Sequence, residues 1–262
     1  MIGSFLKDPK CPQMLLEDKP VDYSYGPYDK VIGGEQWIRI SEGCPNNCPY
    51  CYEPTEFKVF GVPDIKTNIV KIIDMNLLAK PEALGILNEL GERRVNGHVV
   101  RYEFICGIDY RYLTDEIAEA LKASRFQNIR IAWDYFYRDQ YKIKDAIGCL
   151  LKAGYKRKEI TVFMICNWRI DFEECEKKLA LCKVWNVKVS DCYFDNQLPP
   201  KVQPVWWTKK EVVGFRKDVR LHNQLVLFQA DVEYMKRSEK ELDSGDFHKG
   251  VLIDEKGNGV SE

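Results

Sequence analysis

Residues 36–52 read QWIRISEGCPNNCPYCY, and the rest of the chain is best understood outward from this stretch. Its first six residues, 36–41, alternate apolar and polar side chains, which is the period of a half-buried strand. A loop of Gly, Pro, Asn and Cys follows at once, with Cys44, Cys48 and Cys51 spaced C-x3-C-x2-C. Pro45 and Pro49 restrict φ, so the loop loses less entropy on ordering. Three thiolates on one short loop are soft ligands suited to zinc or to an iron–sulfur cluster. Structural zinc usually takes four closed ligands. A cubane cluster held by three cysteines keeps one iron open to a small molecule.

Beyond the loop, strand-like and helix-like segments alternate. NIVKIID (68–74), VVRYEFIC (99–106), IRIAW (129–133), TVFMIC (161–166) and VKVSDCYF (187–194) read as strands after the first. Helical spacing follows Pro81, follows Thr114 as an N-cap with Asp115 and Glu116, runs over 141–154 to Gly154, and follows the capping pair Asp171 and Glu174. Six strands, with helices after the second through the fifth, predict an α/β fold of parallel strands and right-handed crossovers. The apolar run VFMIC suits a strand covered on both faces. Six units are too few for an eight-stranded barrel, which leaves an open partial (βα)6 barrel or a doubly wound sheet. In both, function gathers at the carboxyl ends of the strands, where the cysteine loop falls.

Bulk properties bound the function classes. The chain has 262 residues, enough for one barrel-sized domain with short extensions. Its 39 basic and 40 acidic residues give a net charge of −1, without the basic excess of a broad nucleic-acid footprint. No apolar run reaches membrane-spanning length, and the start lacks a cleavable apolar signal region. The expected compartment is therefore cytoplasmic, where thiols stay reduced. Ten cysteines with three clustered point to metal binding or catalysis.

The loop, with Tyr50 just before its third cysteine, resembles the signature of the radical S-adenosylmethionine (SAM) superfamily. That resemblance covers about residues 36–198, and its specific part is the cysteine loop. It implies a [4Fe-4S] cluster on Cys44, Cys48 and Cys51 whose open iron takes the amino and carboxylate groups of SAM. It also implies reductive cleavage of SAM to a 5′-deoxyadenosyl radical that abstracts hydrogen from a substrate the sequence does not name. A flavodoxin or ferredoxin is the implied electron donor. The expected layout is an irregular extension over 1–35, a core barrel over 36–198, and a C-terminal helical extension with a polar tail over 199–262. The first 35 residues are too few for a cobalamin-binding domain, and the Pro-containing stretch after Cys51 predicts no helix there.

The remaining strand ends supply candidate SAM contacts, each set against a plainer role. Asp74 and Asn76 stand where the family binds the SAM amino group; capping the next helix is the alternative. Gly107 would let backbone approach a ligand, and Asp109 and Arg111 would bind SAM or substrate rather than form a helix-entry ion pair. Asp134 is a ribose or substrate contact or a buried structural carboxylate, and Asn167 stands on the strand likened to the adenine-binding one. Cys106, Cys166 and Cys192 near strand ends would form a second metal site or quench a radical, whereas buried packing is the default for a free cysteine. The basic residues after Trp206 and Trp207 would engage phosphate or nucleic acid, or simply face water. Two other readings stay open: a non-catalytic iron–sulfur or zinc module, and radical modification of RNA or nucleotides.

Overall fold

The computed structural model describes residues 25–193 apart from 47, 49, 50, 52, 135, 168 and 169, residues 207–228, and the backbone of 252–253 and 259–260. Gly33 and Gly34 hold positive φ of 59° and 83° and turn β1 (Tyr28–Ile32) back on β2 (Glu35–Arg39) as an antiparallel hairpin. A two-residue hairpin turn of this hand needs both central residues in the left-handed region, where glycine carries no steric cost. The lead-in expected to be irregular therefore contains a strand, and the Gly-Gly pair was the local signal for it.

After β2 come β3 (Ser41–Glu42) and β4 (Lys58–Val59), which pair with each other at the foot of the cysteine loop. No helix forms over 53–68, as the prolines predicted. Then follow β5 (Ile69–Ile72), α1 (Ala83–Glu92), and a small hairpin of β6 (Arg94–Val95) with β7 (His98–Val99). Next are β8 (Arg101–Phe104), β9 (Ile108–Asp109) and α2 (Asp115–Ala123). The chain continues through β10 (Ile129–Ala132), α3 (Gln140–Lys152), β11 (Ile160–Cys166), α4 (Phe172–Trp185), β12 (Lys188–Tyr193) and α5 (Lys209–Phe228).

The strands form two four-stranded sheets, ordered β1-β2-β5-β8 and β9-β10-β11-β12, and every pairing except β1 with β2 is parallel. The single third strand read from the sequence is broken around residues 105–107, so that β8 ends one sheet and β9 begins the other. A Cβ at Gly107 would lie 3.2 Å from Ala132 Cβ and 3.3 Å from Phe163. The space a side chain would need there is already taken by β10 and β11.

One face of these sheets and the helices share one core. Ile38, Ile72, Tyr102, Ile131, Val162 and Val189 pack with Leu87, Leu90, Leu121, Ile147 and Leu179. The other face points Trp37, Lys71, Glu103, Arg130, Phe163 and Lys188 away from that core. β11 is covered unequally on its two faces, although Ile165 and Cys166 near its end are both buried. Its inward Thr161 and Phe163 are only half-buried, while Val162 and Met164 are fully buried under α4.

The local helix signals have mixed outcomes. Thr114 accepts the Ile117 N–H at 3.2 Å, and Thr208 and Glu211 bond reciprocally at 3.2 and 2.5 Å, as capping chemistry predicts. Asp171 does not cap α4 with its side chain; Glu174 accepts the Tyr137 N–H at 2.7 Å instead. α5 covers the open edge of β12, where the Asn223 amide bonds both the N–H and the C=O of Val189 at 2.8 and 2.7 Å. An edge strand so occupied offers no ladder for another chain.

Candidate functional site

The cysteine loop is closed at its base by backbone and by charge. Gly43 has φ 96°, and a Cβ there would stand 2.1 Å from the Glu56 carbonyl oxygen, so the position excludes any side chain. The Cys44 N–H donates to Pro54 O at 2.8 Å, and the Gly43 N–H donates to the Glu53 carboxylate at 2.7 Å. Beneath them, Lys58 pairs with buried Glu42 across β3 and β4 at 3.3 Å. The buried Lys80 ammonium donates to the Gly43 carbonyl and lies 4.2 Å from the Phe57 ring centroid.

Cys44, Cys48 and Cys51 are half-buried and in no disulfide. Two of their sulfurs accept N–H groups: Asn76 Nδ2 lies 3.3 Å from Cys44 Sγ, and the Glu53 N–H lies 3.5 Å from Cys51 Sγ. Burial pushes the Cys51 thiol up to about 12; the Glu53 N–H opposes this, and nearby Cys48, Glu53 and Cys44 add to it. Bound metal charge reverses such a penalty by favouring the thiolate. Among the described residues, no three His, Cys, Asp or Glu side chains are drawn together into a metal-holding group. The fit of an iron–sulfur cluster to this loop therefore rests on the donor set: three thiols on one closed loop, with N–H groups already directed at two sulfurs, as second-shell donors are around ligating sulfur.

Asp109 joins this loop to two further strand ends. Its carboxylate accepts Arg111 Nε and Nη2, both at 2.8 Å, the Asn46 amide at 2.8 Å, and the Asn76 amide at 3.4 Å. These bonds outweigh burial and hold the Asp109 carboxyl below the usual carboxylate range. Asn76 spends both amide protons, one on Cys44 and one on Asp109, and leaves its buried Oδ1 without a hydrogen-bond partner. Asp74 is 3% exposed and is spent on the strand–loop junction, accepting the Ile40 N–H at 2.9 Å.

The structure thus gathers Asn76, Asp109 and Arg111 beside Cys44. Asp134 is half-buried beyond β10, near enough to Cys192 to help burial raise that thiol to about 11. Asn167 is buried beyond β11 with φ 56°. Neither has a bond to the Asn76–Asp109–Arg111 group among the described contacts. Gly107 is packed by Ala132 and Phe163 rather than facing an open space. Tyr50, the expected aromatic contact, lies outside the described residues, as do Trp206, Asp195, Asn196 and His248. Cys106 contacts Ile73 O and Met75 Sδ, and Cys175 and Cys182 are fully buried in the core. A separate open groove of about 310 Å³ lies between Phe136–Arg138 and Asp171–Lys177.

Three buried charged residues near the loop escaped the sequence reading. Glu53 and Lys80 sit in stretches without period, and nothing local marks them as the supports of Gly43. Arg39 was hidden in the strand pattern, although a charged residue at a fully buried strand position was a usable signal.

No protein-family model matches the chain, and no curated protein matches it. Among solved structures it is similar to the radical S-adenosylmethionine methyltransferase TsrM from Kitasatospora setae, determined with tryptophan substrate and the SAM analogue aza-SAM bound. The two share 12% identity over 61% of this chain and 35% of that one, with a TM-score of 0.49. The chain spans about a third of that protein's length. So faint a likeness carries no functional argument, and the case rests on the residues.

Proposed function

We propose that this chain is a radical SAM enzyme in which Cys44, Cys48 and Cys51 hold a [4Fe-4S] cluster, and that its two sheets act as one open partial (βα)6 barrel. The observation that carries the reading is a closed loop with three thiols at the carboxyl end of β2, with Asn76 and Glu53 directing N–H groups at Cys44 and Cys51. When bound, the cluster would supply the electron for reductive cleavage of SAM ahead of hydrogen abstraction from a substrate. The chain's own residues position and shield. Gly43, Glu53 and Lys80 close the loop, Asp74 ties it to β5, and Asp109 ties it to β9. Arg111, Asp134, Asn167 and Tyr50 would border SAM. A flavodoxin or ferredoxin would deliver the electron.

The test is anaerobic. The chain is loaded with iron and sulfide, reduced, given SAM, and assayed for 5′-deoxyadenosine. About four irons and four sulfides per chain mark a loaded cubane, whereas a single zinc would support a non-catalytic module. Product from the loaded chain supports the reading, and its absence overturns the enzymatic claim. Cys48→Ala should lose both cluster absorbance and product.

A further inference from the structure

We infer that Arg39 is the receptor for an oxyanion, a carboxylate or phosphate, on the molecule this site modifies; the inference rests on the radical SAM reading for where the chemistry occurs. Arg39 is 3% exposed, yet its Nε and Nη1 have no hydrogen-bond partner among the described residues. Buried charge is normally paired, because taking it from water without a partner is costly.

The obvious internal partners do not take those protons. Glu53 and Asp74 lie close enough to feel the guanidinium, which opposes the upward push that burial gives both carboxyls. Neither is hydrogen-bonded to it among the described residues, and Glu53 Oε2 is itself buried without a partner there. Asp74 has both oxygens engaged by Ile40 and Ser41. The Tyr25 ring stacks over the guanidinium, its centroid 4.6 Å away.

The position faces the chemistry. Arg39 is the last residue of β2, on the side of the sheet away from the helices. Register sets Trp37 beside Lys71 and Lys71 beside Glu103 on that side. Glu103 pairs with Lys71 at 2.5 Å and with Arg130. Among the described strand residues, this side carries Lys30, Arg39, Lys71, Arg101, Arg130 and Lys188 against Glu35, Glu103 and Asp109, with Glu35 3.6 Å from Lys71. A chain that is balanced overall thus carries an excess of positive charge on the side of its strands away from the described helices. Burial raises the Cys106 thiol to about 12, and both Arg39 and Arg130 pull against that. An anionic group docked on Arg39 would hold its molecule beside the cysteine loop.

The experiment uses the full chain, cluster-loaded and anaerobic, with saturating SAM, titrated calorimetrically with glutarate and separately with inorganic pyrophosphate. Saturable binding of one probe, weakened tenfold or more in Arg39→Gln, is the expected result, and the probe that binds tells carboxylate from phosphate. Arg39→Met gives the same comparison if the Gln variant does not fold. Equal binding by wild type and variants, or no saturable binding of either probe, overturns the inference. So does binding seen only when SAM is left out, which assigns Arg39 to the carboxylate of SAM. 5′-Deoxyadenosine is assayed on the same preparation. Product without probe binding overturns this inference alone, whereas Arg39-dependent binding without product overturns the radical reading alone.

Discussion

Asp74 Oδ2 accepts both the N–H and the hydroxyl of Ser41, each at 2.6 Å, across 33 residues of sequence. With Oδ1 on the Ile40 N–H, one carboxylate holds the end of β2 and the start of the cysteine loop against β5. Asp74→Ala would leave two buried N–H groups without acceptors, at about 1–3 kcal/mol each. We expect a lower urea midpoint and lower iron content after reconstitution. Asp74→Asn should not rescue either, since its NH2 would confront donors with a donor. Wild-type iron loading in Asp74→Ala would show that the junction does not support the loop.

Gly43→Ala tests the loop more locally. The added methyl meets the Glu56 carbonyl at 2.1 Å, at a backbone conformation that suits only glycine. The sheets do not depend on this turn. Far-ultraviolet circular dichroism should therefore stay near wild type, while cluster absorbance at full reconstitution falls to roughly half or less because the clash must displace the loop base.

Asn76→Leu removes the N–H directed at Cys44 Sγ and one of the bonds to Asp109. Hydrogen bonds to ligating sulfur are among the groups that set cluster potentials. Loss of one net bond worth about 1 kcal/mol lowers a one-electron midpoint by on the order of 40 mV. Redox titration followed by electron paramagnetic resonance checks it. An unmoved potential would mean the contact does not survive in the loaded site.

His222 offers a pH test of the α5 packing that is separate from the cluster. It is buried, and its Nε2 lies 2.8 Å from Val187 O. Burial lowers its pKa below the ordinary value of 6.5, with the Val187 carbonyl opposing. The folded state therefore binds fewer protons than the unfolded chain. Its stability contribution is present above about pH 6.5 and is lost as pH falls toward the folded pKa. Urea unfolding between about pH 7.5 and 5.5 should show wild type losing stability that His222→Gln does not lose. Parallel pH profiles for the two chains would refute the assignment.

Features read correctly from sequence were those carried by neighbours in the chain. The strand–helix rhythm and the Thr114 cap each depend on a few adjacent residues. The Gly33–Gly34 turn was legible in the same way. Two features were decided only by assembly. The end of the third strand is one: β8 stops at Phe104, and Ile108–Asp109 pairs with β10 in the other sheet. Asp109 meets Asn46 across 63 residues, and Asn76 meets Cys44 across 32. Those partnerships follow from parallel register, which places distant strand ends side by side. Arg39 shows the same limit: its charge is visible in the sequence, but its two unpartnered nitrogens arise only because folding buries the residue and commits both Asp74 oxygens to Ile40 and Ser41.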